Sequence, residues 1–163
     1  EGCASCHTQM IRPTYMGFES WRPDFGKEGT IEEPVRTRET RIGDYYGERF
    51  AYLGNQRVGP DLSNAGYRHD ESWHHEHLYS PQSKRDFSLM PSFRHLYEKR
   101  KIRGQKSESA LTNVQWNDED EAENYEVVPT ERAKALVGYI MTLKKDDPFG
   151  PVIATENQET DVK

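Results

Sequence analysis

The chain has 163 residues, 22 of them Lys or Arg and 28 Asp or Glu, for a formal net charge of −6. That balance excludes a general polyanion-binding role, and nucleic acid is not an expected partner. Only 33% of residues are hydrophobic and the mean hydropathy is −1.02, yet nine tyrosines, six phenylalanines and three tryptophans are too many for a disordered chain. A folded protein with so lean an apolar inventory needs help from disulfides, a metal, a partner surface or an organic cofactor whose own apolar faces join the core. No run of about 18 apolar residues is present to span a membrane, and no signal-peptide pattern opens the sequence.

Residues 1–13, EGCASCHTQMIRP, hold both cysteines of the chain, Cys3 and Cys6, with His7 immediately after them. Residues 14–56 read as a long, loop-rich insertion rich in Gly, Pro, Arg and Tyr, in which Tyr15, Phe18, Trp21, Phe25, Tyr45, Tyr46, Phe50 and Tyr52 argue for packing. RVGPDL at 57–62 is a turn signal built on Gly59 and Pro60. Asp70 is the expected N-cap of a short helix, ESWHHEHLY, that Pro81 stops; its expected inner face is Trp73, His77 and Leu78. An irregular loop over 80–93 carries Met90 directly before Pro91.

Between 94 and 106 there are six Arg or Lys, and between 118 and 126 six Asp or Glu; each run reads as a solvated surface segment. Thr130 can cap a last helix running to about Lys145. Ala133, Leu136, Val137, Ile140, Met141 and Leu143 form its apolar stripe, and Lys144 and Lys145 suit the negative end of its dipole. Residues 146–163 read as an extended polar tail, outside a domain over 1–145.

Cys-x-x-Cys-His is the attachment signature of c-type haem. Two thiols at that spacing reach the two vinyl groups on one edge of a porphyrin, and the next residue, His7, falls beneath the iron. The second axial position commonly takes a methionine. Met90, in its loop before a rigid proline, is the preferred ligand. Met10 is too near His7 to cross to the opposite porphyrin face, and Met141 lies in a helical core stripe; Met16 remains a rival. A thioredoxin-like dithiol would need a strand before Cys3. A zinc-binding structural module could combine Cys3 and Cys6 with His74 and His77, but that gap far exceeds finger spacing.

The set CASCHT, GPDLSNAG, LMPSF and ERAKALVGYIMTL resembles class I cytochrome c. CHTQMIRP, ERFAYLGNQRVGPDLSNAGYRHDESWHHEHLYSP and SLMPSF more specifically resemble the mono-haem cytochrome c subunit, subunit II, of cbb(3)-type haem-copper oxidases, over residues 1 to about 97. The resemblance implies an all-α, class I cytochrome c-like fold interrupted by the insertion between the haem motif and the GPDL turn. It implies one haem c held covalently by Cys3 and Cys6, with His7 and Met90 as the axial iron ligands. The Pro60 carbonyl would accept the other N–H of His7, Gly59 would let that backbone approach, and Arg57 and Trp73 would contact the haem propionates. It also implies an electron-transfer role without catalysis by this chain alone. Partners would be the catalytic haem-copper subunit and other cytochrome c subunits or carriers, at the periplasmic face of the bacterial inner membrane. Members of the family carry a transmembrane anchor and a short helix before the haem motif, so further sequence upstream of Glu1 is expected. Within the same chemistry the alternatives are the cytochrome subunit of a nitric oxide reductase or a free periplasmic carrier.

Overall fold

Capping chemistry sets the helices. The computed structural model describes residues 1–16, 19 and 37–145; the tail over 146–163 and residues 17, 18 and 20–36 of the insertion, among them Phe18, Trp21 and Phe25, lie outside them. A single helical turn, α1 (Ala65–Arg68), precedes α2 (Glu71–Tyr79), where the Asp70 side chain accepts the Trp73 N–H at 2.7 Å. The α2 ladder closes with Ser80 N–H donating to the Glu76 carbonyl, because Pro81 has no N–H to extend it and opens a 3-10 turn, Pro81–Ser83. α2 buries Leu78 as expected, but beside it lie His74, His75 and Glu76, with Trp73 and His77 only half-buried. Glu76 and His75 can sit inside because the neighbouring segments partner them. Glu76 accepts Thr112 Oγ1 at 2.5 Å and Asn113 Nδ2 at 2.8 Å and pairs with Lys84, while His75 Nδ1 is 3.1 Å from the Tyr97 hydroxyl.

The expectation of an all-α fold is corrected by a two-stranded antiparallel sheet. β1 (Tyr97–Lys101) pairs with β2 (Tyr125–Pro129) in the register Tyr97 opposite Pro129 and Arg100 opposite Glu126. The two charge runs, each expected to be a solvated surface segment, are partners across this sheet. Arg100 Nε lies 2.7 Å from Glu126 Oε1 and Lys99 Nζ 2.5 Å from Glu121 Oε1, Glu121 belonging to α3 (Glu119–Asn124) just ahead of β2. Lys99 also sits over the Trp116 and Tyr125 rings at 5.5 and 4.9 Å. β2 supplies the apolar half of the hairpin through Val127 and Val128, both buried. Its far edge is covered where the Leu111 N–H donates to the Val127 carbonyl at 2.9 Å.

The last helix, α4 (Glu131–Thr142), is capped by the Thr130 hydroxyl, which accepts the Ala133 N–H at 3.3 Å. It ends a turn earlier than Lys145. Leu143 to Lys145 instead dock onto α1, with Gly66 N–H donating to the Leu143 carbonyl at 3.1 Å and Lys145 N–H to Asn64 Oδ1 at 2.6 Å. A Cβ on Gly66 would come within 2.5 Å of the Met141 carbonyl oxygen, so that contact requires glycine. The core is the meeting of α2, α4 and the sheet: Leu78, Phe93, Leu96, Tyr97, Val127, Ala133 and Val137, flanked by Met90, Leu136, Ile140 and Met141. The N-terminal segment lies across α4, through Gln9 to the Tyr139 hydroxyl at 3.1 Å and Glu1 to Arg132 at 2.8 Å.

Candidate functional site

The thiols and the imidazole are presented by one tight turn. Gly2, at φ 80°, turns the chain into a 3-10 segment, Cys3–Ser5, and the N–H groups of Cys6 and His7 both donate to the Cys3 carbonyl, at 3.0 and 2.9 Å. Cys3 is half-buried and Cys6 exposed, and both are outside any disulfide. The next residues are laid against the GPDL turn. Gly59 N–H donates to the Cys6 carbonyl at 2.9 Å and Leu62 N–H to the Thr8 carbonyl at 2.7 Å, bracketing a contact of 2.7 Å between His7 Nδ1 and the Pro60 carbonyl.

A carbonyl oxygen only accepts, so Nδ1 carries the ring proton and Nε2 holds the lone pair that a metal would bind. The turn comes close to the ring and to the His7 backbone at two glycines. A Cβ at Gly59 would lie 2.2 Å from His7 Cε1, and one at Gly54, where φ is +78°, would lie 2.0 Å from the His7 carbonyl oxygen. Two accessible thiols, an imidazole fixed as the Nε2 donor and a glycine shaped to its edge fit a haem bound through that set of donors.

The remaining predicted residues are less closely gathered. Met90 is half-buried and packs against the core cluster, and its N–H donates to Ser88 Oγ at 3.2 Å. Of its rivals, Met16 is 60% exposed, Met141 packs on the core from α4, and Met10 is held by its backbone, N–H to Asp61 Oδ2 at 2.9 Å and carbonyl to Arg57. Arg57, expected at a propionate, directs Nε to Thr8 Oγ1 at 2.8 Å and its terminal nitrogens to Glu19 and the Met10 carbonyl. Trp73 is stacked between two imidazoles, His69 at 3.6 Å and His77 at 4.5 Å. Among the described residues, no group of three or more His, Cys, Asp or Glu side chains is gathered as a metal site.

Sequence reasoning passed over one feature and read a second only in part. Asp61 read only as part of a turn, yet its carboxylate is 1% exposed and accepts Thr8 Oγ1 at 2.5 Å, Met10 N–H at 2.9 Å and Ser63 N–H at 2.8 Å. The only trace of it in the sequence is an acidic residue directly after Gly-Pro. The second is the imidazole group on α2. Burial above all holds His74 and His77 down to about 4, His7 being one of the neighbours that lower His77 further, and His74 Nε2 and His77 Nδ1 are buried without a hydrogen-bond partner.

A cysteine pair and adjoining histidine in this attitude are the donor set expected of an electron-carrying c-type cytochrome. The family described as cytochrome C oxidase, mono-heme subunit/FixO matches residues 1–147, and the chain belongs to it. It is therefore the electron-transfer subunit of a cbb(3)-type cytochrome oxidase, a one-haem component that works with a catalytic oxidase partner in a membrane complex. Comparison with curated proteins gives no match. No described helix is long and apolar enough to cross a membrane.

Proposed function

We propose that Cys3 and Cys6 hold one haem c through thioether bonds, and that His7 Nε2 and the Met90 sulfur are its axial ligands. The observation that carries this reading is the 2.7 Å contact from His7 Nδ1 to the Pro60 carbonyl, which fixes both the tautomer and the plane of the ring. The bound group would supply a one-electron iron couple, and the chain's residues would set its potential and its access. With two protein ligands on the iron no position is open to oxygen, so oxygen reduction belongs to the catalytic subunit.

Electrons would arrive from another cytochrome c subunit or carrier and leave toward that catalytic subunit, on the periplasmic face of the membrane. Gly59 would admit the ring. Trp73, and Arg57 after exchanging some of its bonds to Glu19, would serve the haem carboxylates. Residues 1–145 would form the cytochrome domain, with the loops between the haem motif and Pro60 as the shield and docking collar around it. Optical spectroscopy tests the reading: reduced protein should show sharp cytochrome bands, and the colour should stay with the polypeptide through acid-acetone extraction. Colourless protein with stoichiometric zinc would refute it.

A further inference from the structure

We infer that Asp61 is a positioning residue for the axial histidine: its buried carboxylate locks the chain on the far side of His7 to the turn that holds the His7 ring. The inference rests on the reading of His7 as an iron ligand and adds a residue to which nothing else assigns a role. Two segments meet at this site, and each contributes one member of the His7 Nδ1 to Pro60 contact. Asp61 follows Pro60 directly, and Thr8, whose hydroxyl donates to Asp61 Oδ2 at 2.5 Å, follows His7 directly. The same oxygen takes the Met10 N–H at 2.9 Å, while Oδ1 takes the Ser63 N–H at 2.8 Å. All three partners donate to the side-chain oxygens of a residue that is only 1% exposed.

The donors are arranged so that an amide cannot replace the acid. Oδ1 and Oδ2 each face a backbone N–H, so either orientation of an asparagine would turn its NH2 group onto a donor. Thr8 is in turn fixed from its other side by Arg57 Nε at 2.8 Å, and Arg57 is anchored on Glu19. The brace thus runs Asp61, Thr8, Arg57, Glu19, and the guanidinium read from sequence as a propionate contact is part of it. Two effects of the carboxylate on the couple have the same sign. A negative charge on the turn that holds the ring would favour the oxidised form of a bound iron, and a firmly held Nδ1–H to carbonyl bond would raise the basicity of Nε2, which favours it again. Removing the carboxylate raises the potential on both counts, whereas removing only the Thr8 hydroxyl loosens the ring and keeps the charge.

The experiment uses holoprotein with covalent haem: wild type, Asp61→Asn, Thr8→Val and the conservative Thr8→Ser. Covalent retention by acid-acetone extraction, midpoint potential by redox titration, and the hyperfine-shifted proton resonances of the His7 ring are measured for each. The expected result is retained haem throughout. The potential should shift upward in Asp61→Asn, less far upward in Thr8→Val, and stay at the wild-type value in Thr8→Ser, with displaced His7 resonances in the first two. If Asp61→Asn does not fold, Thr8→Val against Thr8→Ser decides alone. A wild-type potential and unmoved His7 resonances in folded Asp61→Asn or, failing that, in Thr8→Val would overturn the inference and leave the haem reading intact. Absence of covalent haem from the wild-type protein would overturn both.

Discussion

Gly59→Ala should be one of the two most damaging single-methyl changes at the described glycines, the other being Gly54→Ala against the His7 carbonyl oxygen. The added Cβ would sit 2.2 Å from His7 Cε1 and 2.8 Å from both ring nitrogens, where ordinary contact begins at 3.4 Å, so roughly an ångström of movement is demanded. The ring cannot yield freely, because its Nδ1 is held 2.7 Å from the carbonyl of the next residue, Pro60. Overpacking of this kind costs about 1–3 kcal/mol, and loosening the hydrogen bond adds about 0.5–1.5 kcal/mol. A total of about 2–4 kcal/mol corresponds to a fall in Tm of roughly 5–15 °C for a chain of this size. Thermal unfolding followed by far-UV circular dichroism measures it, with Gly138→Ala as the internal control. Gly138 lies in α4 with nothing within 4 Å of its would-be Cβ, so alanine there should be neutral or stabilising by about 0.5–1 kcal/mol. A Gly59→Ala protein as stable as wild type would refute the claim that the turn is shaped to the imidazole.

Further outcomes follow from the same structure. Met90→Ala should abolish the weak sulfur-to-iron band of the oxidised protein while the haem stays attached; loss of that band in Met16→Ala instead would reassign the ligand. For Glu76, burial pushes the carboxyl up, but hydrogen bonds from Asn113, Lys84 and Thr112 outweigh it and hold the group at about 2. Its folded value lies below its unfolded one, so its stabilisation, on the order of 3 kcal/mol, is complete above pH 4.5 and lost as pH falls toward 2. Glu76→Gln should flatten that part of an acid titration followed by near-UV circular dichroism, and an unchanged profile would count against the carboxylate cluster. His74 and His77 are also held low, to about 4 from an ordinary 6.5, chiefly by burial. Unfolding therefore takes up protons below pH 6.5, and each group should remove up to about 1.4 kcal/mol per pH unit on the way to pH 4. The urea midpoint should consequently be lower at pH 5 than at pH 7, and the difference should shrink in His74→Gln and His77→Gln.

How far these features can be read from sequence depends on how local their causes are. The haem motif, Asp70 as the cap of α2 and Thr130 as the cap of α4 are each specified within a few residues, and the structure has the two helices at those starts. The sheet was hidden because its signal is divided. Val127 and Val128 sit between an acidic run and a helix cap, and β1 is almost wholly polar, so neither strand announces itself alone. Only pairing across the intervening residues 102–124 turns the two charge blocks into complements. The buried polar face of α2 was missed for a related reason, since Glu76 is accommodated by Thr112 and Asn113, far along the chain. Asp61 shows the same limit at the site itself: a carboxylate after Gly-Pro looks like turn chemistry until residues 8 and 10 are laid against it.

The charges of β1 have one more consequence. A two-stranded sheet leaves each strand an outer edge, and that of β2 is covered by the segment at Leu111. β1 closes the other side with Glu98, Lys99, Arg100 and Lys101, all exposed. Open strand edges recruit further strands from neighbouring molecules, and a dense row of charged side chains is an effective deterrent, because stacking a second copy would bring like charges into register. The residues that close the hairpin within one molecule thereby discourage fibrillar self-association of the subunit before it joins the oxidase.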